Sequence, residues 1–354
     1  MHAQTENILR EVKKVIVGKD DVLARALMSI LSRGHILLED VPGVGKTTLA
    51  LAFSRAMGID YRRGQFTSDV VPSDIIGFSV YDKESGNLTF KPGAVMTNLL
   101  LADEINRTSS KTQSALLEVM EERQVTVDGV PHPVPDPFIV IATQNPVGSA
   151  GTQLLPQAQL DRFMIRLSMG YPDFASEVSI LRDRRAENPL NSVNQVTDRF
   201  AVINMQREVD SLRVADSILE YITHLAQATR EHPIVQLGVS PRGALAVLKM
   251  SQAHAYLMGR DYVVPEDVAK VFTDVCAHRI VLSPKAKVSG TTQEEVIRQI
   301  LSSIRMPISI AFARAKLDKR HGFAFGVNNR RAACVVHANR NIVCPVVNRS
   351  AKLN

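Results

Sequence analysis

The sequence contains no tryptophan, and aromatic residues make up only 5% of the chain. It has three cysteines, Cys276, Cys334 and Cys344, which form neither an even set nor a CxxC pair. A disulfide scaffold is therefore excluded, and we expect reduced thiols. Cys334, His337 and Cys344 are a weak candidate for a metal site, because no fourth ligand is apparent and their spacing matches no common motif.

Long apolar runs are also missing from the chain. No stretch approaches the length needed to span a bilayer, and the N-terminal sequence MHAQTENILREVKK lacks the apolar core of a signal peptide. We therefore expect no membrane insertion and a cytoplasmic location. Hydrophobic residues nevertheless make up 45% of the 354 residues, which is enough for a sizeable core, two domains and a tail.

The chain has no net negative charge, and its formal charge of +6 comes from one end. Residues 311–354 carry nine basic residues against one acidic residue, Asp318, so the preceding part is slightly acidic. The basic character is therefore a property of the tail and gives no indication that the rest of the chain binds nucleic acid. The tail is either a basic contact arm or an appended end, and its mixed periodicity predicts no helix.

The segment HILLEDVPGVGKTTLA, residues 35–50, predicts a site for a nucleoside triphosphate. An apolar strand runs into a Pro/Gly-rich turn, and a helical pattern follows. Such a loop directs backbone N–H groups toward phosphate oxygens, and the following helix adds its positive N-terminal end. Lys46 is expected to neutralise the β- and γ-phosphates, and the hydroxyl of Thr47 to bind Mg²⁺. The predicted phosphate-binding residues are Pro42, Gly43, Val44, Gly45, Lys46, Thr47 and Thr48.

One position of this loop departs from the generic pattern GxxxxGK(S/T). Asp40 stands where that pattern has its first glycine, so a strict pattern search misses the loop. The alternative interpretation is a tight glycine turn before an ordinary helix. The order of strand, loop and helix favours the phosphate loop.

A second motif, LLLADEINR at residues 99–107, is an apolar strand that ends in an acidic pair. In a parallel α/β sheet the carboxyl ends of the strands line the ligand crevice, so we expect Asp103 and Glu104 beside the phosphates. Asp103 suits Mg²⁺ binding, directly or through water, and Glu104 suits polarisation of the water that attacks the γ-phosphate. A solvated strand end is the alternative, which the upstream loop disfavours.

A third strand, FIVIAT at residues 138–143, is followed by Asn145, which can hydrogen-bond the γ-phosphate or the attacking water. Arg162 then lies in the sequence LDRF. An arginine commonly stabilises the charge on a transferred phosphoryl group and can come from a neighbouring subunit. Each residue taken singly has an equally good structural interpretation. Asn145 could form a turn before Pro146, and Arg162 could form an ion pair at the surface. The order of the motifs favours nucleotide hydrolysis.

With the addition of GVSPRGALAVL at residues 238–248, these motifs resemble the MoxR group of AAA+ ATPases over residues 14–283. The resemblance implies that the ligands are ATP and Mg²⁺. It implies that Asn145 is the first sensor, Arg162 a finger that acts on a neighbouring subunit, and Arg242 the second sensor. The adenine is expected to pack near Val17 and Gly18.

The resemblance also implies an α/β fold with three parts. Residues 1–171 are expected to form an AAA+ P-loop domain, a parallel sheet flanked by helices. Residues 172–308 are expected to form an all-helical lid domain, and residues 309–354 the basic C-terminal tail. Turn signals at Ser85-Gly86-Asn87 and Asp128-Gly129 predict two β-hairpins, within residues 72–98 and at residues 124–134. The resemblance implies that both are insertions and that the first faces the central pore of a ring; a plain surface hairpin is the alternative for the first.

By the same resemblance the chain is a Mg²⁺-dependent ATPase that forms a homo-oligomeric ring, a hexamer. Its work would be chaperone-like remodelling, assembly or activation of a client complex together with a von Willebrand factor A domain protein. A magnesium-chelatase-type motor subunit is one alternative. A DNA-translocating or DNA-loading AAA+ ATPase is another, which the basic tail keeps open. A non-catalytic nucleotide-binding module is disfavoured, because Glu104 and Arg162 are both present.

Overall fold

A computed structural model describes residues 2–84, 86–145, 155–183 and 188–307. Up to residue 167 the chain combines strands with helices, as the order of the motifs predicts. The elements of this α/β part are, in chain order, α1 (Ala3–Lys13), α2 (Asp20–Leu31), β1 (Ile36–Glu39), α3 (Lys46–Met57), β2 (Tyr61–Gln65), α4 (Pro72–Ile76), β3 (Gly77–Tyr81), β4 (Leu88–Pro92), β5 (Leu99–Asp103), α5 (Ser110–Glu122), β6 (Gln124–Val127), β7 (Val130–Pro133), β8 (Ile139–Gln144), α6 (Gln157–Leu160) and β9 (Ile165–Leu167).

The central sheet has five parallel strands in the order β2-β5-β8-β1-β9. Both faces of the central strands are covered, and β1, β5 and β8 accordingly begin with continuous buried apolar runs. In β5, Leu99 and Leu101 pack into one hydrophobic core, whereas Leu100 and Ala102 pack into the core on the opposite face. From β1 the chain continues to β2, at the far edge on one side of β1 in the sheet. The last strand, β9, lies on the other side of β1. Ligands bind outside the carboxyl ends of strands at such a point of reversal. The predicted α/β fold class is confirmed.

The part after β9 is mainly helical, as expected for a lid. Its elements are α7 (Phe174–Asp183), α8 (Arg199–Asp210), α9 (Asp216–Glu231), β10 (Val235–Leu237), α10 (Pro241–Leu257), α11 (Pro265–Cys276), β11 (Val281–Leu282), α12 (Pro284–Val288) and α13 (Gln293–Ser303). The expectation of helices alone needs one correction, because β10 and β11 pair as an antiparallel ladder. Strands of three and two residues are too short to give a period-two signal in the sequence.

The lid and the α/β part share one hydrophobic core and belong to one compact unit, Met1–Pro307. Polar contacts join them as well. Gln206 of α8 donates from Nε2 to the carbonyl oxygen of Ile30 at 2.8 Å, and Arg166 of β9 lies 3.0 Å from Oε1 of Glu294 in α13. A boundary between two domains at residues 171/172 stays a prediction. The tail, with Cys334 and Cys344, lies outside the described residues.

Both expected hairpins are confirmed, as β3 with β4 and β6 with β7. The turn between β6 and β7 consists of Asp128 and Gly129, both with positive φ, 51° and 78°, as a type I′ turn requires. The two hairpins touch, since the ring of Phe90 stacks on that of His132 with centroids 3.9 Å apart. Orientation of the first hairpin toward a pore stays a prediction. Among the described helices, none is long and apolar enough to cross a membrane.

A buried histidine, His35, immediately precedes β1 and makes the stability of the fold depend on pH. His35 accepts the N–H of Val140 at Nδ1 (3.0 Å), and its Nε2 lies 3.1 Å from the carbonyl oxygen of Met120. Burial, together with the positive charge of Arg123, lowers the pKa of His35 from 6.5 to about 3. Protonation at Nδ1 would replace this hydrogen bond by a repulsive contact between two N–H donors, that of His35 and that of Val140. Between pH 6.5 and 3 the unfolded chain therefore binds a proton that the folded chain does not, and stability falls as the pH falls.

Through this histidine alone, we expect the free energy of unfolding to fall by about 2 kcal/mol when the pH is lowered from 7 to 5. The measurement is urea unfolding of the protein and of His35→Gln at both pH values, and the variant should lose less stability on acidification. His224→Gln, at an exposed position of α9, is the matched control. An unchanged pH dependence in His35→Gln would contradict the assignment.

Candidate functional site

The predicted phosphate loop connects β1 to α3 at the carboxyl edge of the sheet. Gly43 and Gly45 have φ values of 86° and 96°, which favour glycine, and Gly45 caps α3. Thr47 and Thr48 lie half-buried in the first turn of α3. The loop thus ends at the N-terminus of a 12-residue helix, where backbone N–H groups are free to bind an anion.

Lys46 is the charged side chain of this loop, and it is buried. Its Nζ donates to the carbonyl oxygen of Asp40 at 2.7 Å. Burial lowers the pKa of the Lys46 ammonium, while the carboxylates of Asp40, Asp103 and Glu104 act in the opposite direction. The loop and the acidic strand, predicted from separate motifs, are therefore electrostatic neighbours.

Asp40, the departure from the generic pattern, anchors the phosphate loop to the segment that follows β9. Its Oδ2 accepts the backbone N–H groups of Met169 and Gly170, the latter at 2.9 Å, and the hydroxyl of Ser168 at 3.3 Å. Its Oδ1 accepts the N–H of Val41 at 3.2 Å. A glycine at position 40 could make none of these bonds. The carboxylate therefore ties the loop to the chain that leads into the lid.

Asp103, at the end of β5, is held by groups from both neighbouring strands. Thr143 of β8 donates its hydroxyl to Oδ1 of Asp103 at 2.6 Å and accepts the N–H of Glu104 at 2.9 Å. Arg63 of β2 donates to Oδ2 from Nη2 at 2.6 Å, and this hydrogen bond raises the pKa of Arg63. A single hydroxyl thus fixes the acidic pair against the next strand.

Glu104 has left-handed backbone angles, φ 58° and ψ 46°, which are sparsely populated for a non-glycine residue and concentrate at functional sites. Both of its carboxylate oxygens have partners. Oε1 accepts from Nδ2 of Asn145 at 3.0 Å, and Oε2 accepts from Gln65 at 3.2 Å and from Arg107 at 2.7 Å. Asn145, predicted from a separate strand, therefore lies in direct contact with the predicted water-polarising residue.

A cavity of about 290 Å³ opens beside the phosphate loop, and its lining residues include neither Asp103 nor Glu104. Val17 lines it, and helix α7 forms part of its wall. Gly18 lies against the start of α7, where a Cβ atom would come within 2.3 Å of Oγ of Ser176. The walls contain apolar side chains from the N-terminal segment, the segment after β9 and α7. An aromatic base fits such a surface.

The two predicted arginines lie elsewhere. Arg242, in the first turn of α10, hydrogen-bonds Glu121 of α5. Arg162 donates to the carbonyl oxygen of Leu117 at 2.7 Å, and its Nη1 lies 3.5 Å from Oε2 of the same Glu121. Among the described residues, those that line the cavity shared by both arginines include none of the phosphate loop. The chain thus brings Arg162 and Arg242 to each other, and places neither beside its own loop.

The sequence analysis missed several of these contacts. Thr143 precedes Asn145 by two residues at the end of an identified strand, so its position at the sheet edge was a usable signal. Gln65 likewise ends β2, the strand next to β5, and Arg63 lies two residues before that end. The partners of Asp40 gave no local signal, because they lie about 130 positions away in the chain.

Comparison with known proteins gives a consistent result. Residues 35–165 match the profile of the "ATPase family associated with various cellular activities (AAA)", and residues 227–300 match that of the "AAA lid domain". An uncharacterised Bacillus subtilis protein, YeaC, is 46% identical over 89% of this chain and 98% of its own length. "Chaperone MoxR1" of Mycobacterium tuberculosis is 39% identical over 85% of this chain and 82% of its own length. The crystal structure of a proposed ATPase from Cytophaga hutchinsonii, 37% identical, superposes with a TM-score of 0.81 and covers 86% of this chain and 96% of that one.

The anchoring role of Asp40 predicts that restoring the generic pattern weakens the site. Asp40→Gly recreates GxxxxGK(S/T) but removes the acceptor of three backbone N–H groups and one hydroxyl. We expect an unfolding free energy lower by about 1–3 kcal/mol and a higher Kd for ATP. Equilibrium binding of a fluorescent ATP analogue and urea unfolding measure both quantities.

The matched control is Asp198→Gly, which removes a carboxylate that caps α8 through the N–H of Ala201 at 2.9 Å in the lid. This control should lose stability and keep the Kd for ATP. If Asp40→Gly binds the nucleotide as tightly as the unaltered protein, Asp40 does not anchor the loop.

Proposed function

Since the chain belongs to the MoxR family of AAA+ ATPases, we propose that it hydrolyses ATP with Mg²⁺ and uses the energy to remodel, assemble or activate a protein complex. The observation that carries this proposal is the convergence of Lys46, Asp103, Glu104 and Asn145 at one sheet edge. These residues come from three separate motifs. Their roles in positioning, charge neutralisation and water activation are those that phosphoryl transfer needs.

The residues present fit a Mg²⁺ ion, which prefers oxygen ligands. Asp103 supplies a largely buried carboxylate, and Thr47 supplies a hydroxyl in the first turn of α3. Held there together with the nucleotide, the ion would supply positive charge that offsets the negative charge of the phosphates. Lys46 adds a positive charge close to the same edge, and the backbone N–H groups of the loop orient the phosphates.

Glu104 is the residue that polarises the attacking water. Its contacts with Asn145, Gln65 and Arg107 hold the carboxylate in one orientation at the edge of the sheet. They use three of the roughly four acceptor positions of the carboxylate, so Oε1 can still accept a hydrogen bond from water. Asn145 is then close enough to orient the same water or the γ-phosphate.

The active site is completed by a neighbouring subunit in a homo-oligomeric ring, a hexamer. Arg162 and Arg242 converge on Glu121 and not on their own phosphate loop, which favours action on the nucleotide of the adjacent subunit. We place the work of this ring in the cytoplasm, with a von Willebrand factor A domain protein as partner and a client complex as substrate. "Chaperone MoxR1" among the relatives supports a chaperone-type role.

Lys46→Ala should weaken ATP binding by more than about tenfold, on the order of 1.4 kcal/mol or more, because it removes the positive charge nearest the phosphates. Equilibrium binding of a fluorescent ATP analogue is the measurement. Lys111→Ala, at an exposed position of α5, is the control and should bind normally. Unchanged affinity in Lys46→Ala would refute the phosphate-loop assignment.

Glu104→Gln and Arg162→Ala should each lower ATP turnover by about a hundredfold or more, for opposite reasons. The first variant still offers a normal Arg162 to its neighbour, and the second still has a normal Glu104. In mixed rings about one interface in four pairs an intact Glu104 with an intact Arg162 across subunits, so hydrolysis should return on mixing.

The measurement is the ATPase rate of an equimolar mixture under conditions in which subunits exchange, as followed by energy transfer between labelled subunits. Arg242→Ala should behave as Arg162→Ala does, and a mixture of those two should stay inactive. If the rate of the Glu104→Gln and Arg162→Ala mixture only averages the rates of its parents, Arg162 does not act on the neighbouring subunit.

A further inference from the structure

A buried guanidinium from the lid lies directly behind Arg162. Arg279, which is 3% exposed, donates from Nη2 to the carbonyl oxygens of Asp161 at 3.2 Å and Phe163 at 2.6 Å. These two carbonyls flank Arg162 in the chain. The Nε of Arg279 also donates to Oδ1 of Asp161 at 2.8 Å. One lid side chain therefore fixes the backbone on both sides of Arg162.

The second oxygen of Asp161 extends this contact to the helix that carries Arg242. Oδ2 of Asp161 accepts the hydroxyl of Ser240 at 2.9 Å, and the same hydroxyl oxygen accepts the N–H of Gly243 at 3.1 Å as the cap of α10. A hydroxyl has one donor and two acceptor positions, so it satisfies both bonds. Arg242 lies within this capped turn.

The first turn of α10 also packs directly on Arg279. A Cβ atom at Gly243 would lie 2.9 Å from Cδ of Arg279 and 2.7 Å from Cγ1 of Val239, so this approach requires glycine. Asp161, Ser240 and Arg279 thus form one connected group, the bridging cluster. It joins a segment of the α/β part to two segments of the lid.

We propose that the bridging cluster presents Arg162 and Arg242 as a pre-formed pair to the nucleotide of the neighbouring subunit. This inference rests on the proposed ring and deepens it, by naming the residues that position the two arginines. Convergence of both guanidinium groups on Glu121 shows that the pair already encloses one anionic group. Arginines bind phosphate through directional, often bidentate hydrogen bonds, and side chains that are held in place before the encounter need no reorganisation to form them.

Loss of the bridging cluster should affect the two roles of a subunit differently. Among the described residues, no hydrogen bond or ion pair joins the cluster to the phosphate loop. Its loss should therefore impair a subunit as donor of arginines and leave it intact as acceptor, the subunit that binds ATP. A residue that serves only general stability would impair both roles together. This asymmetry separates positioning from folding.

The test uses Asp161→Asn and the milder Ser240→Ala, each in the full-length chain. Each homogeneous ring should lose about 10- to 100-fold in kcat, since small displacements of reacting groups have effects of this size, while the Kd for ATP changes less than about twofold. Each variant is then mixed in equal amounts with Glu104→Gln and, separately, with Arg162→Ala. Hydrolysis should return only with Glu104→Gln, whose arginines are intact.

Ser283→Ala is the matched control for Ser240→Ala. Ser283 also precedes a proline and caps its helix, α12, through the N–H of Ala286, but its hydroxyl is not bonded to Asp161. It should retain the kcat of the unaltered protein. Equal losses of kcat in Ser283→Ala and Ser240→Ala would assign the effect to capping and overturn the inference.

The reference mixture, Glu104→Gln with Arg162→Ala, separates the two levels of the proposal. No gain in this reference overturns the shared active site, and with it the role of the cluster. A gain in the reference, combined with no gain when Asp161→Asn and Ser240→Ala are each mixed with Glu104→Gln, would show that the cluster serves the whole subunit. Full activity of both homogeneous variants would also overturn the inference.

Discussion

The candidate site depends on one constraint, the burial of the parallel sheet on both faces. Polar and charged side chains can leave such a sheet only where its strands end, and β1, β5 and β8 end side by side. This edge therefore collects Lys46, Asp103 and Asn145 from distant parts of the chain. Concentrated charge in a partly buried crevice needs partners. Thr143 and Arg63 supply them for Asp103, and a backbone carbonyl supplies one for Lys46.

The second constraint is the shared core of the lid and the α/β part. Because helices of both parts pack together, α10 is held where Arg242 in its first turn forms an ion pair with Glu121 of α5. That packing places Arg242 beside Arg162. A subunit of this shape has two separate functional surfaces, one that can bind ATP and one that offers two arginines. The arginines can reach a bound nucleotide only if that nucleotide belongs to a second copy of the chain. The proposed ring follows from this requirement.

Family membership and residue geometry support different parts of the functional account. The similarity to AAA+ proteins, including "Chaperone MoxR1", establishes the family and an ATPase fold. It does not explain why Asp40 replaces a glycine. The contacts of Asp40 with Met169 and Gly170 supply that explanation, because they tie the loop to the start of the lid. The loop that we propose to bind the nucleotide is thereby hydrogen-bonded to the segment from which the lid begins.

The sequence by itself determined the phosphate loop, the acidic strand, the helical lid and both hairpins. Each of these depends on turn residues or periodicity within about ten positions, and such local preferences act wherever the segment lies. The location of Arg242, the partners of Asp40 and the cluster around Asp161 were decided only by the tertiary structure. They join residues roughly 80 to 130 positions apart, and no local pattern encodes which buried surfaces will meet. Packing of the lid on the sheet selects these neighbours, since it fixes the one arrangement that fills the shared core and pairs the buried charges.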